Sequence, residues 1–329
     1  MQNMNAVVSG LFRNSRLPVM PIMTHPGIEL IGRKVIDAVT DGQVHSDAVF
    51  ALRKAYPQSA ASTTIMDLSV EAQAFGAEIV FEDNSVPTVT GRLLSSAQDV
   101  GALVIPSLDK GRLPEYLKAV RLSASRLEVP LFGGCIGPFS LAGRLYDMTE
   151  LMMAMYIEPD TAHALLRKCS AFLLGYVKAI KDAGASGVVM AEPAAGLLSD
   201  TDCMQYSSAY VKEIVDAVQD DRFAVILHNC GNQGQCTESM IATGAAALHF
   251  GNAIDLAGVL SQVPADIAVM GNVDPVGIMK MGTPKQVHEA VEKLKALAAG
   301  HNNFVLSTGC DVPPYAPEEN IAAFFDAAV

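Results

Sequence analysis

Short apolar runs alternate along this chain with longer stretches in which apolar positions recur every three to four residues. The short runs read as buried strands at 19–23, 65–67, 130–134, 187–192, 223–228, 246–250, 267–271 and 304–308. Amphipathic helices fit most of the intervals. Thr283-Pro284-Lys285-Gln286 has the form of a capping box with proline at the first helical position. Val287, Val291, Leu294 and Ala298 then share one face, and Gly300 closes the helix. A second long helix spans 159–184, and Pro317-Glu318-Glu319 starts a terminal one with acidic residues in its first turn. The last five strands are the clearest, each separated from the next by room for a helix. That spacing predicts a parallel sheet, and eight such units predict an α/β (β/α)8 TIM barrel in preference to a doubly wound sheet.

The 329 residues are 50% hydrophobic, ample for such a core. No apolar run reaches the ~18 residues of a membrane span. The N-terminal MQNMNAVVSGLFRNSRLP lacks the apolar core and cleavage site of a signal peptide, so a cytoplasmic protein is expected. A net charge of −12 with scattered basic residues argues against nucleic acid as a partner. No GxGxxG follows a strand. Gly133-Gly134-Cys135-Ile136-Gly137-Pro138 reads as a tight turn into a helix. Six cysteines in a reducing compartment are candidate metal ligands or thiols, not a disulfide framework.

Barrel chemistry sits at the C-terminal strand ends. Those positions hold Glu192, His228 with Cys230, Asn252, Asn272 with Asp274, and Cys310 with Asp311. In Ala224-Val225-Ile226-Leu227-His228-Asn229-Cys230-Gly231 a core strand ends by presenting an imidazole and a thiol two residues apart. If the barrel closes, Cys310 points into the same mouth, and a Cys2His set with an open fourth position describes a catalytic zinc site. Against this stands the ordinary fate of a buried His or Cys as core. Cys236 and Cys135 are rival ligands, while Cys169 and Cys203 read as core or surface thiols. Glu192 reads as a fourth zinc ligand, a base or a helix-capping acid. Met148, Met152, Met153 and Met155 read first as core packing, then as an adaptable apolar pocket.

HNCGNQG, GNVDPVGIM and STGCDVPPYAPEENI resemble the uroporphyrinogen decarboxylase superfamily, most closely its zinc-dependent methylcobamide:coenzyme M methyltransferases. MDLSVEAQAFGAEIVFEDNSVPTV, GGCIGPFSLAGRLYDMTELMM and DAGASGVVMAEPAAGLLS extend the resemblance over nearly the whole chain. It implies one (β/α)8 barrel over 1–329, Zn2+ on His228, Cys230 and Cys310, and a methylated corrinoid as donor. It further implies that the mouth docks either a corrinoid-binding partner protein or free methylcobamide, with a small thiol acceptor and a homodimer. Asn252, Asn272 and Asp274 would line the corrinoid mouth, although Asp274-Pro275 equally suits a turn cap. The decarboxylase branch carries arginines near its N-terminus for the carboxylates of a tetrapyrrole, and PVMPIMTHPGIELIG has none. Zinc would hold the acceptor thiol as thiolate, and a resting Glu192 ligand could exchange with it at constant charge. A decarboxylase-like lyase, transfer to another acceptor such as tetrahydrofolate, and a non-catalytic corrinoid-binding protein are the alternatives.

Overall fold

The computed structural model describes residues 4–15 and 17–328. Its strands are β1 (Ser62–Thr63), β2 (Glu78–Glu82), β3 (Ser85–Thr90), β4 (Leu131–Ile136), β5 (Gly187–Ala191), β6 (Ala224–Asn229), β7 (Ala247–Phe250), β8 (Ala268–Val273) and β9 (Phe304–Thr308). Seven form one curled parallel sheet in the order β1-β4-β5-β6-β7-β8-β9, with β2 and β3 paired apart as an antiparallel hairpin. Every residue of β5 through β9 is buried, as helices on the outer face and packing on the inner face require.

The eighth strand expected at 19–23 is present only as a bridge. Val19 pairs with Leu306 of β9, Met20 N–H donates to Leu306 O at 2.8 Å, and Ala60 N–H donates to Val19 O at 2.7 Å. Residues 18–20 therefore stand between β9 and the approach to β1. Pro18 and Pro21 have no N–H to extend the ladder. The strand expected at 65–67 is shifted to Ser62–Thr63. The Ile65 N–H is taken by His45 Nε2 at 3.0 Å, and Asp67 turns inward to Arg112, Ser69 and Tyr116. β4 runs on to Ile136, which leaves Gly137 alone as the turn before helix Pro138–Tyr146.

The long helix spans Pro159–Asp182, with Gly184 at φ +102° just beyond it. Thr283 and Gln286 form the capping box of helix Pro284–Ala298. In helix Met148–Ile157, Met155 is buried while Met153 is half exposed. Among the described residues no helix is long and apolar enough to cross a membrane.

Two apolar layers pack on the sheet. The smaller one, inside its curl, includes Val189 of β5, Ala224 and Ile226 of β6, Ala247 of β7, Ala268 and Met270 of β8, and Val305 of β9. Strand side chains alternate faces. The next inner positions toward the C-terminal ends are His228, His249, Asn272 and Ser307. Parity thus converts the top of an apolar core into a polar layer.

Candidate metal centre

His228 continues the inner face of Ala224 and Ile226, and β6–β7 register sets it directly beside His249. Past the strand, Asn229 Oδ1 accepts from the N–H groups of Gly231 and Asn232, both at 3.0 Å, and so bends the chain. Gly231 is required at the bend, because a Cβ there would lie 2.6 Å from Pro193 O. Cys230 is thereby returned toward His228. Cys310 follows β9 and reaches the same point: one ligand atom each from His228, Cys230 and Cys310 lie within 4.8 Å of one another.

His228 Nε2 is buried without a hydrogen-bond partner. Its Nδ1 lies 2.8 Å from His249 Nδ1, and His249 Nε2 lies 2.9 Å from Ser307 Oγ. One proton must lie between the two Nδ1 atoms. If His249 held it, neutral His228 would carry its own hydrogen on Nε2, buried and without an acceptor. With the proton on His228 Nδ1, Nε2 is a bare lone pair and His249 donates from Nε2 to Ser307. Burial, reinforced by His228, holds His249 well below the ordinary histidine value, so it stays neutral. The closeness of the two thiols pulls Cys230 down to about 7, against burial, and pushes Cys310 up to about 12, with burial adding. A lone-pair nitrogen and two sulfurs, one readily ionised, are the donor set of a thiolate-rich zinc site.

Glu192, expected as a fourth ligand, a base or a helix-capping acid, is not among the residues of this cluster. Its Oε1 accepts from Phe139 N–H at 2.7 Å, and its Oε2 accepts from Ser140 N–H at 2.8 Å and Ser140 Oγ at 2.6 Å. It caps helix Pro138–Tyr146 from the neighbouring strand end, where donors and helix dipole favour a carboxylate. Burial outweighs these donors and pushes its carboxyl up to about 7. A Cβ on Gly137 would lie 2.2 Å from Glu192 Cγ, which explains a glycine at the turn.

Cys236 is buried against the Ala195 and Leu198 carbonyls, outside the cluster. Cys135 is buried in β4, where burial pushes its thiol well up. Asn252, Asn272 and Asp274 line one cavity of about 580 Å³ beyond β7 and β8. Asp274 also caps the following turn, accepting from Val276 and Gly277 N–H, and Asn272 Nδ2 donates to Gly251 O. Asp311, beside Cys310, faces the buried His25 imidazole at 3.5 Å. In the sequence, His249 and Ser307 are marked only as polar residues in otherwise apolar runs.

The uroporphyrinogen decarboxylase (URO-D) family profile matches residues 6–329. The chain belongs to this family. Among its curated relatives is the methylcobamide:CoM methyltransferase MtbA of Methanosarcina mazei, 30% identical over 267 residues, 80% of this chain and 77% of the relative. The uroporphyrinogen decarboxylase of Aeromonas salmonicida is equally similar, 30% identical over 283 residues, with 83% and 78% covered. Within the family, then, identity does not separate the two chemistries. A solved methyltransferase from Methanosarcina mazei superposes with a TM-score of 0.88 at 23% identity, covering 99% of this chain and 96% of that one. A B12-independent methionine synthase from Shewanella sp. W3-18-1 gives 0.61 at 13% identity, with 95% of each chain covered. Both likenesses support an α/β fold of this kind.

Proposed function

We propose that this protein is a zinc-dependent methyltransferase that moves a methyl group from a methylated corrinoid to the thiol of a small acceptor, of the coenzyme M type. The observation that carries this reading is a buried, unpartnered imidazole nitrogen facing two thiols at the C-terminal ends of the strands. His228, Cys230 and Cys310 would hold the metal. Zinc bound there supplies a positive centre that keeps an acceptor thiol deprotonated at neutral pH.

The chain's own groups fix the geometry. Ser307 and His249 orient His228 and set its tautomer, and the Asn229 turn holds Cys230. Asn252, Asn272 and Asp274 line the cavity assigned here to the corrinoid, which a partner corrinoid-binding protein would present. The scaffold we assign is a single (β/α)8 barrel. Of the chain's arginines, Arg112 is committed to Asp67, Ser69 and Gln73, and segment 18–32 has none. That arrangement does not suit the several carboxylates of a tetrapyrrole, each of which would need a cation.

The test is a single-turnover assay with methylcobalamin and 2-mercaptoethanesulfonate, before and after chelation. Thiol-dependent loss of the methylcobalamin spectrum that stops on chelation and returns with zinc supports the reading. Chelation-insensitive decarboxylation of uroporphyrinogen without methyl transfer would overturn it in favour of the lyase branch.

A further inference from the structure

Arg144 lies on helix Pro138–Tyr146, which leaves the C-terminal end of β4. Among the described residues it is the one arginine drawn out of solvent without an acceptor. Arg53, Arg92, Arg112 and Arg126 all have acceptors, and Arg13, Arg33, Arg121, Arg167 and Arg222 are exposed. Burial lowers the Arg144 pKa, and the through-space pull of Asp67 and Glu71 opposes that. Neither carboxylate bonds to it. Asp67 is occupied by Arg112, Ser69 and Tyr116, and Glu71 accepts from the Ile136 N–H. A guanidinium stays charged at any working pH, so partial desolvation without a counter-ion is unfavourable unless a ligand completes it.

Arg144 lines a cavity of about 340 Å³, within the size range of small-molecule sites. Leu68, Val89, Met148 and Pro193 supply apolar walls. Two polar side chains also line it, Ser140 committed through its hydroxyl and Asp147 through Oδ1. Ser140 Oγ donates to Glu192 and accepts from Ala194 N–H, while Asp147 caps the next helix through the N–H groups of Thr149 and Glu150. Among the lining residues Arg144 is the one cation, and it has no hydrogen-bond partner. The turn Pro193–Leu197 touches both regions: Pro193 lines the cavity, and its carbonyl lies against Gly231, next to Cys230.

We infer that Arg144 forms an oxyanion subsite that binds the anionic end, sulfonate, carboxylate or phosphate, of a small organic ligand. A planar fork with apolar surroundings suits bidentate recognition of such a group. The identity of the ligand rests on the function proposed above: it is the acceptor, with a thiol for the metal and an oxyanion for Arg144.

Two arms test this on the metal-loaded protein. In the first, the cobalt(II) form is titrated with 2-mercaptoethanesulfonate and with uncharged 2-mercaptoethanol, following the thiolate-to-cobalt band. The wild type should favour the sulfonate by about ten- to a hundred-fold, and Arg144→Gln should bind both alike. An unchanged preference in Arg144→Gln overturns the assignment of Arg144 to the acceptor. In the second arm, ethanesulfonate, which has no thiol, is titrated by calorimetry. Binding to the wild type and loss in Arg144→Gln support the subsite even if no thiol perturbs the cobalt band, an outcome that would sink only the thiol-acceptor reading. No binding of ethanesulfonate to the wild type overturns the subsite. Circular dichroism checks the fold of the variant. If Arg144→Gln unfolds, Arg144→Lys replaces it and should lose several-fold while retaining some sulfonate preference, whereas an undiminished preference overturns the bidentate assignment.

Discussion

Replacing His249 by phenylalanine isolates the imidazole pair at the metal centre. The side chain is fully buried and bridges His228 Nδ1 at 2.8 Å and Ser307 Oγ at 2.9 Å. Phenylalanine keeps the flat shape but removes the acceptor, so His228 keeps a buried N–H with nothing to receive it. An unmet donor of this kind costs about 1–3 kcal/mol. The ring no longer has a reason to hold its proton on Nδ1, and the Nε2 lone pair loses its fixed direction. Loss of such a partner lowers metal affinity by about ten- to a hundred-fold. Competition for zinc against a chromophoric chelator at pH 7.5 measures the loss, and circular dichroism checks the fold. His249→Asn, whose amide oxygen can stand near the Nδ1 position, should stay within a few-fold of wild type. A folded His249→Phe protein with wild-type zinc affinity would refute the relay.

Zinc should raise the thermal midpoint of the wild type by mass action but leave Cys310→Ser nearly unmoved, as read by scanning calorimetry with and without metal. Glu192→Gln should leave the zinc X-ray absorption shell unchanged while losing about 1–3 kcal/mol of stability, because the carboxylate caps a helix and an amide cannot serve all three donors. Burial raises the Glu71 carboxyl from 4.5 to about 7, so its stabilising share is complete below pH 4.5 and is lost as pH rises through about 7. Relative to wild type, Glu71→Gln should therefore gain up to about 3 kcal/mol between pH 4.5 and 8 in urea titrations. The buried His25 and His45, held down to about 4 and about 3, push the other way below pH 6.5 in both proteins and drop out of that difference.

The last five strands are legible in the sequence because burial on both faces leaves continuous apolar runs with little else to be. The first half is harder to read for local reasons. Pro18 and Pro21 cut the first ladder to a bridge, and a histidine twenty residues upstream takes the Ile65 amide. The hairpin of β2 and β3 is half exposed, and its alternation is masked by Glu78, Glu82 and the Asp83-Asn84 turn. His228, Cys230 and Cys310 are legible because a strand end is a one-dimensional landmark. Glu192 is legible as a position but not as a role. Which donors it meets depends on a helix that begins 54 residues earlier, at Pro138. His249 becomes visible only through β6–β7 register, a two-dimensional fact. Arg144 needs the whole mouth, since an unpaired guanidinium is defined by what fails to reach it.

These residues share an electrostatic logic. The chain is strongly acidic, yet among the described residues no carboxylate belongs to the candidate metal cluster. Glu192 is tied to a helix terminus, Asp67 to Arg112, and Asp274 to its own turn. The group orienting His228 is a neutral imidazole, where metal-bound histidines commonly have a carboxylate. Two thiolates, a neutral histidine and Zn2+ sum to zero, and a carboxylate behind His228 would make the site negative before any substrate arrived. An acceptor entering as a thiolate, with a second negative charge at its far end, would meet repulsion from such a site. A neutral imidazole at 249 and an unpaired cation at 144 both remove that repulsion. On this reading the polarity of the mouth, more than its metal ligands, selects a doubly charged acceptor over a neutral thiol.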